Sequence, residues 1–142
     1  YVDRYFEKYP GVRKYMDETQ ASADEKGYVE TLFGRRLYLP GIHAGNGIIR
    51  KAAQRTAINA PMQGTAADMI KQAMIDIGHW LSSAQLDAKM VLQVHDELVF
   101  EVAEKDVDML IEGVKFRMTT AASLDVPLVV DVGIGNNWDE AH

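Results

Sequence analysis

Residues 90–94 and 98–102 are two apolar runs separated only by His95, Asp96 and Glu97. So short a polar link leaves room for a tight turn and nothing longer. The two runs must therefore pair antiparallel as a β-hairpin. Antiparallel pairing rules out an all-helical chain and an all-parallel sheet. Helical periodicity on both sides of the hairpin then sets the class as α+β, with helices backing one face of an antiparallel sheet.

The rest of the chain reads around that hairpin. Tyr5, Tyr9, Val12, Tyr15 and Met16 fall at helical spacing, with Pro10 in a first turn and Gly27 as a stop. Residues 28–32 and 36–39 read as a second pair of strands around Phe33, Gly34 and Arg35, followed by a loop with Gly41, Gly45 and Gly47. From Gly47 to Ala84 the alanine-rich pattern is helical, and Pro61 must kink or break it. Ile70, Met74, Ile77 and Leu81 mark its buried face. Residues 104–122 read as an amphipathic helix through Val107, Leu110, Ile111 and Val114. Residues 128–132 read as a final strand beside the hairpin, and 133–142 as a tail. The chain shows no internal repeats.

Composition limits the partners. No apolar run approaches the ~20 residues that span a membrane, and no signal peptide is visible. Zero cysteines exclude disulfides and thiolate metal sites and suit a reducing, cytoplasmic setting. The chain opens mid-pattern at Tyr1-Val2-Asp3 without a Met, and reads as a piece of something longer. The net charge of -6 disfavours a nucleic-acid partner at first sight. The charge is uneven, however. Residues 31–67 contain no Asp or Glu but hold Arg35, Arg36, Arg50, Lys51 and Arg55, whereas residues 96–142 are strongly acidic.

Two constellations could carry chemistry. Asp96 and Glu97 sit at the tip of a hairpin with apolar arms, so a rigid scaffold presents two hard oxygen ligands outward. That suits Mg²⁺, which binds one or two carboxylates and keeps waters for substrate phosphates. The same pattern also suits a plain Asp turn. Arg55, Asn59 and Gln63 fall at i, i+4 and i+8 on one helix face with no competing carboxylate. Such a row can follow a nucleic-acid strand through phosphates and groove acceptors, or it can be a solvated face. Gly34, Arg35 and Arg36 could hold phosphate or form a charged edge against aggregation. His79 beside Trp80 suits packing or surface, and His43 in the glycine-rich loop suggests nothing.

At these residues the chain resembles the DNA polymerases of family A. Val94-His95-Asp96-Glu97-Leu98-Val99-Phe100-Glu101-Val102 resembles that family's third conserved motif. Residues 55–68, from Arg55 through Asn59, Pro61, Gln63 and Gly64 to Asp68, resemble its helix along the primer–template minor groove. Gly27-Tyr28-Val29-Glu30-Thr31-Leu32 with Gly34-Arg35-Arg36 also matches, as does Asn137-Trp138-Asp139, where the last residues resemble the natural end of bacterial members. The similarity covers the whole chain, and four long matches in order are specific.

The resemblance implies that residues 1–87 supply fingers-to-palm helices and a small hairpin, and residues 88–142 a palm hairpin, helix and C-terminal strand. It implies that Asp96 is a catalytic metal ligand, with Glu97 its less essential acidic neighbour. His95 would lie close to the primer 3′ end, and Arg55, Asn59 and Gln63 would hold the duplex through its minor groove. Two Mg²⁺ ions, primer–template DNA, deoxynucleoside triphosphates and the remainder of the polymerase chain are the implied cofactors and partners. The second metal-binding carboxylate and the basic helix that grips the triphosphate lie upstream in the family, so the chain alone is expected to be inactive. The alternatives are a metal-dependent nuclease using further carboxylates such as Glu101 or Asp131, and a duplex-DNA-binding module without chemistry.

Overall fold

Local signals set most of the elements. In the computed structural model, which describes residues 2–141, a short helix α1 (Val2–Lys8) precedes α2 (Pro10–Lys26). Tyr1 and His142 lie outside the described residues. Pro10 occupies the first turn of α2, where its missing N–H leaves no bond unmade. Gly27 ends the helix at φ 75°, its N–H donating to the Ala23 carbonyl over 2.9 Å. Strands β1 (Tyr28–Glu30) and β2 (Arg36–Tyr38) pair antiparallel in the register Tyr28 to Tyr38, Val29 to Leu37 and Glu30 to Arg36. β2 stops one residue earlier than the sequence suggests, the Leu39 N–H donating to the Gly27 carbonyl over 2.8 Å, and β1 is shorter because residues 31–35 fold into their own turn. There the Gly34 N–H donates to the Thr31 carbonyl over 2.9 Å, with Gly34 at φ 79°. The long helix α3 (Gly47–Ala84) follows and keeps Pro61 inside it.

The chain divides into two compact units, the first ending at Thr65 and the second beginning at Ala66. In the first, the core is Ala23, Val29, Leu39, Ile42 and Ala57, with Ala53 and Ala60 packed against it. Residues 53, 57 and 60 share one stripe of α3, and alanines there let the helix seat closely. The Tyr15 hydroxyl adds a 2.9 Å bond to the Ile58 carbonyl in the turn before Pro61.

The second unit is a two-layer α/β sandwich. Strands β3 (Ala88–Val94) and β4 (Glu97–Val102) form the expected hairpin, with β3 two residues longer than its apolar run. A bulge at Val91 offsets the register between Met90–Phe100 and Leu92–Val99. Leu98, Phe100 and Val102 alternate onto one face and meet Ala73 and Ile77 of α3 together with Leu110 and Val114 of α4 (Val107–Thr119). The seam of α3 runs through Ala73, Ile77, Trp80 and Leu81. Ile70 and Met74 are only half-buried, so the small Ala73 takes the closest approach in place of Met74. Helix α4 begins after a single 3₁₀ turn over Glu104–Asp106 and is shorter than the expected 104–122.

Two further readings change. Residues 128–132 form no strand: both sheets among the described residues have two strands, and Val129 is 79% exposed. The β-branched run favours extended backbone, but a strand exists only where a partner supplies its ladder bonds. The tail instead contains a short helix α5 (Trp138–Ala141). The Asn137 side chain caps it by accepting the Glu140 N–H over 3.0 Å, and the Glu140 carboxylate reaches back to the Asn136 N–H over 2.9 Å. The spacing, Asn-x-x-Glu, is that of a capping box, with the return bond made to the residue before the cap. These bonds, the Asn136 backbone first and then the Asn136 and Asn137 amides, hold the Glu140 carboxyl below its ordinary value.

The sandwich is sealed by an unusual contact. A methyl group at Gly113 of α4 would run into the Trp80 indole. Arg117 stacks on the same ring at 4.3 Å while donating to the Gly113 carbonyl over 2.9 Å. Gly113→Ala should therefore lower stability by about 1–2 kcal/mol, since overpacking outweighs the ~1 kcal/mol gained in helix propensity. Denaturant titration followed by tryptophan fluorescence checks this. A raised midpoint would mean that the indole does not lie against the α4 backbone.

Candidate functional site

The register of the second hairpin closes at Val94 to Glu97, leaving His95 and Asp96 as a two-residue turn. Glu97 therefore belongs to β4 and not to the turn. His95 has φ 52°, and Asp96 is not among the positive-φ residues. That combination is the type II′ pattern, which normally uses glycine at its first position. A histidine there carries backbone strain on the order of 1 kcal/mol. The Gln93 amide braces the turn, donating to the His95 carbonyl over 3.1 Å. His95 and Asp96 are exposed at the apex, whereas Glu97 is half-buried. Strand alternation puts Glu97 on the face opposite Leu98, Phe100 and Val102, together with Val99 and Glu101.

The donor chemistry at this tip fits a hard cation: two neighbouring carboxylates, one of them exposed. Among the described residues no group of three or more His, Asp or Glu side chains gathers as a metal site. Asp96 and Glu97 can thus supply one or two ligands of a Mg²⁺ shell, leaving the others to waters, phosphates or carboxylates from elsewhere.

The second constellation lies on α3 in the first compact unit. Arg55, Asn59 and Gln63 are all exposed, and the opposite stripe of Ala53, Ala57 and Ala60 faces the core. None of the three side chains is engaged by a hydrogen bond or ion pair among the described residues. A row of unspent donors on a helix anchored from behind can lie along a polyanion. Pro61, inside the same continuous helix, leaves the Ala57 carbonyl without its ladder bond.

The cations of the acid-free window divide sharply. Arg36 pairs with Glu30 at 2.9 Å and lies over the Tyr28 ring at 4.5 Å, and its pKa is raised by Glu30 first and then by Tyr38. Arg50 donates to the Ala44 carbonyl over 3.0 Å, and Arg35 to the Gly64 carbonyl over 3.1 Å. Lys51 and Arg55 are exposed. His43, which suggested nothing in the sequence, faces Asp24 at 3.4 Å, and His79 is exposed. Sequence reasoning also missed a shallow cleft of about 270 Å³ shared by Thr31, Arg35, Pro61, Gln63 and Gly64. Its walls come from segments about thirty residues apart, and only a tertiary contact reveals it.

Comparison with known proteins gives the family. The model of DNA polymerase family A matches residues 1–140. DNA polymerase I of Pseudomonas aeruginosa is 63% identical over 142 residues, which is 100% of this chain and 16% of that protein. DNA polymerase I of Bacillus subtilis is 47% identical over 141 residues, covering 99% of this chain and 16% of that protein. A solved structure of the POL domain of Pol1 from M. smegmatis, in complex with DNA primer-template and dNTP, superposes with a TM-score of 0.96 at 46% identity. The match covers 99% of this chain and 25% of that one. The chain thus spans about a sixth of the length of these curated relatives. With a family match along nearly all its length, and with the hairpin tip and helix face folded as described, the chain belongs to DNA polymerase family A.

Proposed function

We propose that this chain supplies part of the palm and fingers of a DNA-directed DNA polymerase, and that its parent carries out template-directed nucleotidyl transfer. The observation that carries the reading is Asp96, exposed at the apex of a braced hairpin whose other face is packed on helices. Residues 1–87 would contribute fingers-to-palm helices and the small hairpin, and residues 88–142 the palm hairpin, α4 and a C-terminal segment. Asp96, with Glu97 beside it, would hold Mg²⁺. When bound, two such ions activate the primer 3′-hydroxyl and stabilise the leaving pyrophosphate. His95 would sit near the primer terminus. The partners are primer–template DNA, deoxynucleoside triphosphates and the rest of the polymerase chain. No helix of the described residues is long and apolar enough to cross a membrane, and a cytoplasmic setting suits a DNA-acting enzyme.

In this reading Arg55, Asn59 and Gln63 contact the duplex from the minor groove. That groove presents acceptors at similar places in every correct pair, so donors there test pair geometry without reading sequence. The experiment is a salt titration of duplex affinity in the full-length protein. Arg55→Ala, if it removes a phosphate contact, should reduce the magnitude of the log–log slope by about 0.9. Asn59→Ala and Gln63→Ala should weaken binding about fivefold with the slope unchanged, because a lost base contact releases no counterion. Unchanged affinity in all three variants would refute the minor-groove assignment.

A further inference from the structure

Pro61 lies inside α3, within the row formed by Arg55, Asn59 and Gln63, and the helix runs on through it. A proline there removes the N–H that would bond the Ala57 carbonyl and crowds that carbonyl with its ring. The helix ladder therefore lacks one bond, between Ala57 and Pro61, in the turn that carries Asn59. Contacts from outside the helix flank that gap on both sides.

On the near side, the Tyr15 hydroxyl grips the Ile58 carbonyl over 2.9 Å. On the far side, the tip of the β1–β2 hairpin grips the turn that carries Gln63. Arg35 Nη2 donates to the Gly64 carbonyl over 3.1 Å, and the Leu32 N–H donates to Thr65 Oγ1 over 2.9 Å. The tip is itself stiffened by the Thr31 N–H on the Arg35 carbonyl at 2.9 Å and the Arg35 N–H on Thr31 Oγ1 at 3.2 Å. The contact depends on the absence of a side chain at position 64: a Cβ there would come within 2.7 Å of Thr31 Cγ2. Arg35 and Gln63 line the same cleft.

We infer that Arg35 is a positioning residue that acts through Gln63, clamping the turn after Pro61 so that Gln63 and Asn59 keep one register against the duplex. The inference rests on the minor-groove reading of Gln63. It also replaces the two roles open to Arg35 from sequence, a phosphate ligand or a charged edge. A guanidinium is suited to the task because its planar fork can hold a carbonyl in a fixed direction.

The test is a double-mutant cycle in the full-length protein, reading the dissociation constant for matched duplex across a salt series and the ratio of matched to mismatched primer extension. Arg35→Leu should weaken duplex binding about fivefold, the effect of one net hydrogen bond, and narrow the mismatch ratio. The salt slope should not change, because Arg35 itself touches no phosphate. In a Gln63→Ala background the same substitution should cost less than about twofold, the mark of two residues acting through one contact. Thr65→Val, which removes the other bond with little change of shape, should act in the same direction, and Thr65→Ser should restore wild-type behaviour. This pair carries the test if Arg35→Leu lowers the melting temperature enough to impair folding.

Three results would overturn the inference: a slope smaller by about 0.9, showing direct phosphate contact; equal penalties with and without Gln63; or no penalty at all. If Gln63→Ala is itself silent, the minor-groove reading fails and the inference fails with it. If Gln63→Ala is costly and Arg35→Leu is not, only the inference is lost.

Discussion

Asp96→Asn in the full-length protein should reduce single-turnover nucleotide addition by about a thousandfold or more, on the order of 4 kcal/mol of barrier. The amide nearly preserves the shape of the carboxylate and removes its charge, so the loss reports metal binding and not packing. Asp96 is exposed and sits in a two-residue turn, so no core contact is disturbed. Glu97 differs in each respect. It is the first residue of β4, is half-buried, and already has an interaction within the chain. Glu97→Gln should therefore cost far less, about tenfold, through a weakened field at the metals. Rapid-quench primer extension with saturating nucleotide measures both. Equal and mild losses would remove Asp96 from the metal shell.

What the sequence made legible follows from how local each signal is. The β3–β4 hairpin is written in two apolar runs and a short polar link, all within fifteen residues. The end of α2 is written in one glycine, whereas the one proline at position 61 does not end α3, which runs on to Ala84. The unpaired segment 128–132 shows the limit. Its β-branched residues state a backbone preference, but pairing is decided by a strand elsewhere, and no strand among the described residues pairs with it. Helix α5 was legible in principle, since Asn137 and Glu140 stand at capping-box spacing, but a four-residue helix has no hydrophobic period to attract attention. The candidate site divides along the same line. Asp96, Glu97 and the face of Arg55, Asn59 and Gln63 could be listed from spacing and motif. The bond from Arg35 to Gly64 could not, because it joins a side chain to a main-chain carbonyl 29 residues away and leaves no periodic trace.

The 142 residues by themselves should not extend a primer. Mg²⁺ gives up its waters reluctantly and demands near-octahedral geometry, and two neighbouring carboxylates are too few to fix two ions. Nucleotidyl transfer draws most of its rate from positioning and from positive charge placed where negative charge develops. The chain offers few cations for a triphosphate. Arg35, Arg36 and Arg50 are held by Gly64, Glu30 and Ala44, and Arg55 belongs to the row assigned to the duplex. Metal binding at Asp96 and Glu97 alone should be weak, and nucleotide binding weaker still. The assay uses the purified chain with labelled primer–template, all four deoxynucleotides, and Mg²⁺ or Mn²⁺. Circular dichroism alongside confirms that the helices have formed, so that a negative result reports chemistry and not unfolding. Duplex binding without extension is the expected outcome. Extension abolished by Asp96→Asn would show that this hairpin needs no second carboxylate and no further basic helix, and the division of the active site argued above would have to be given up.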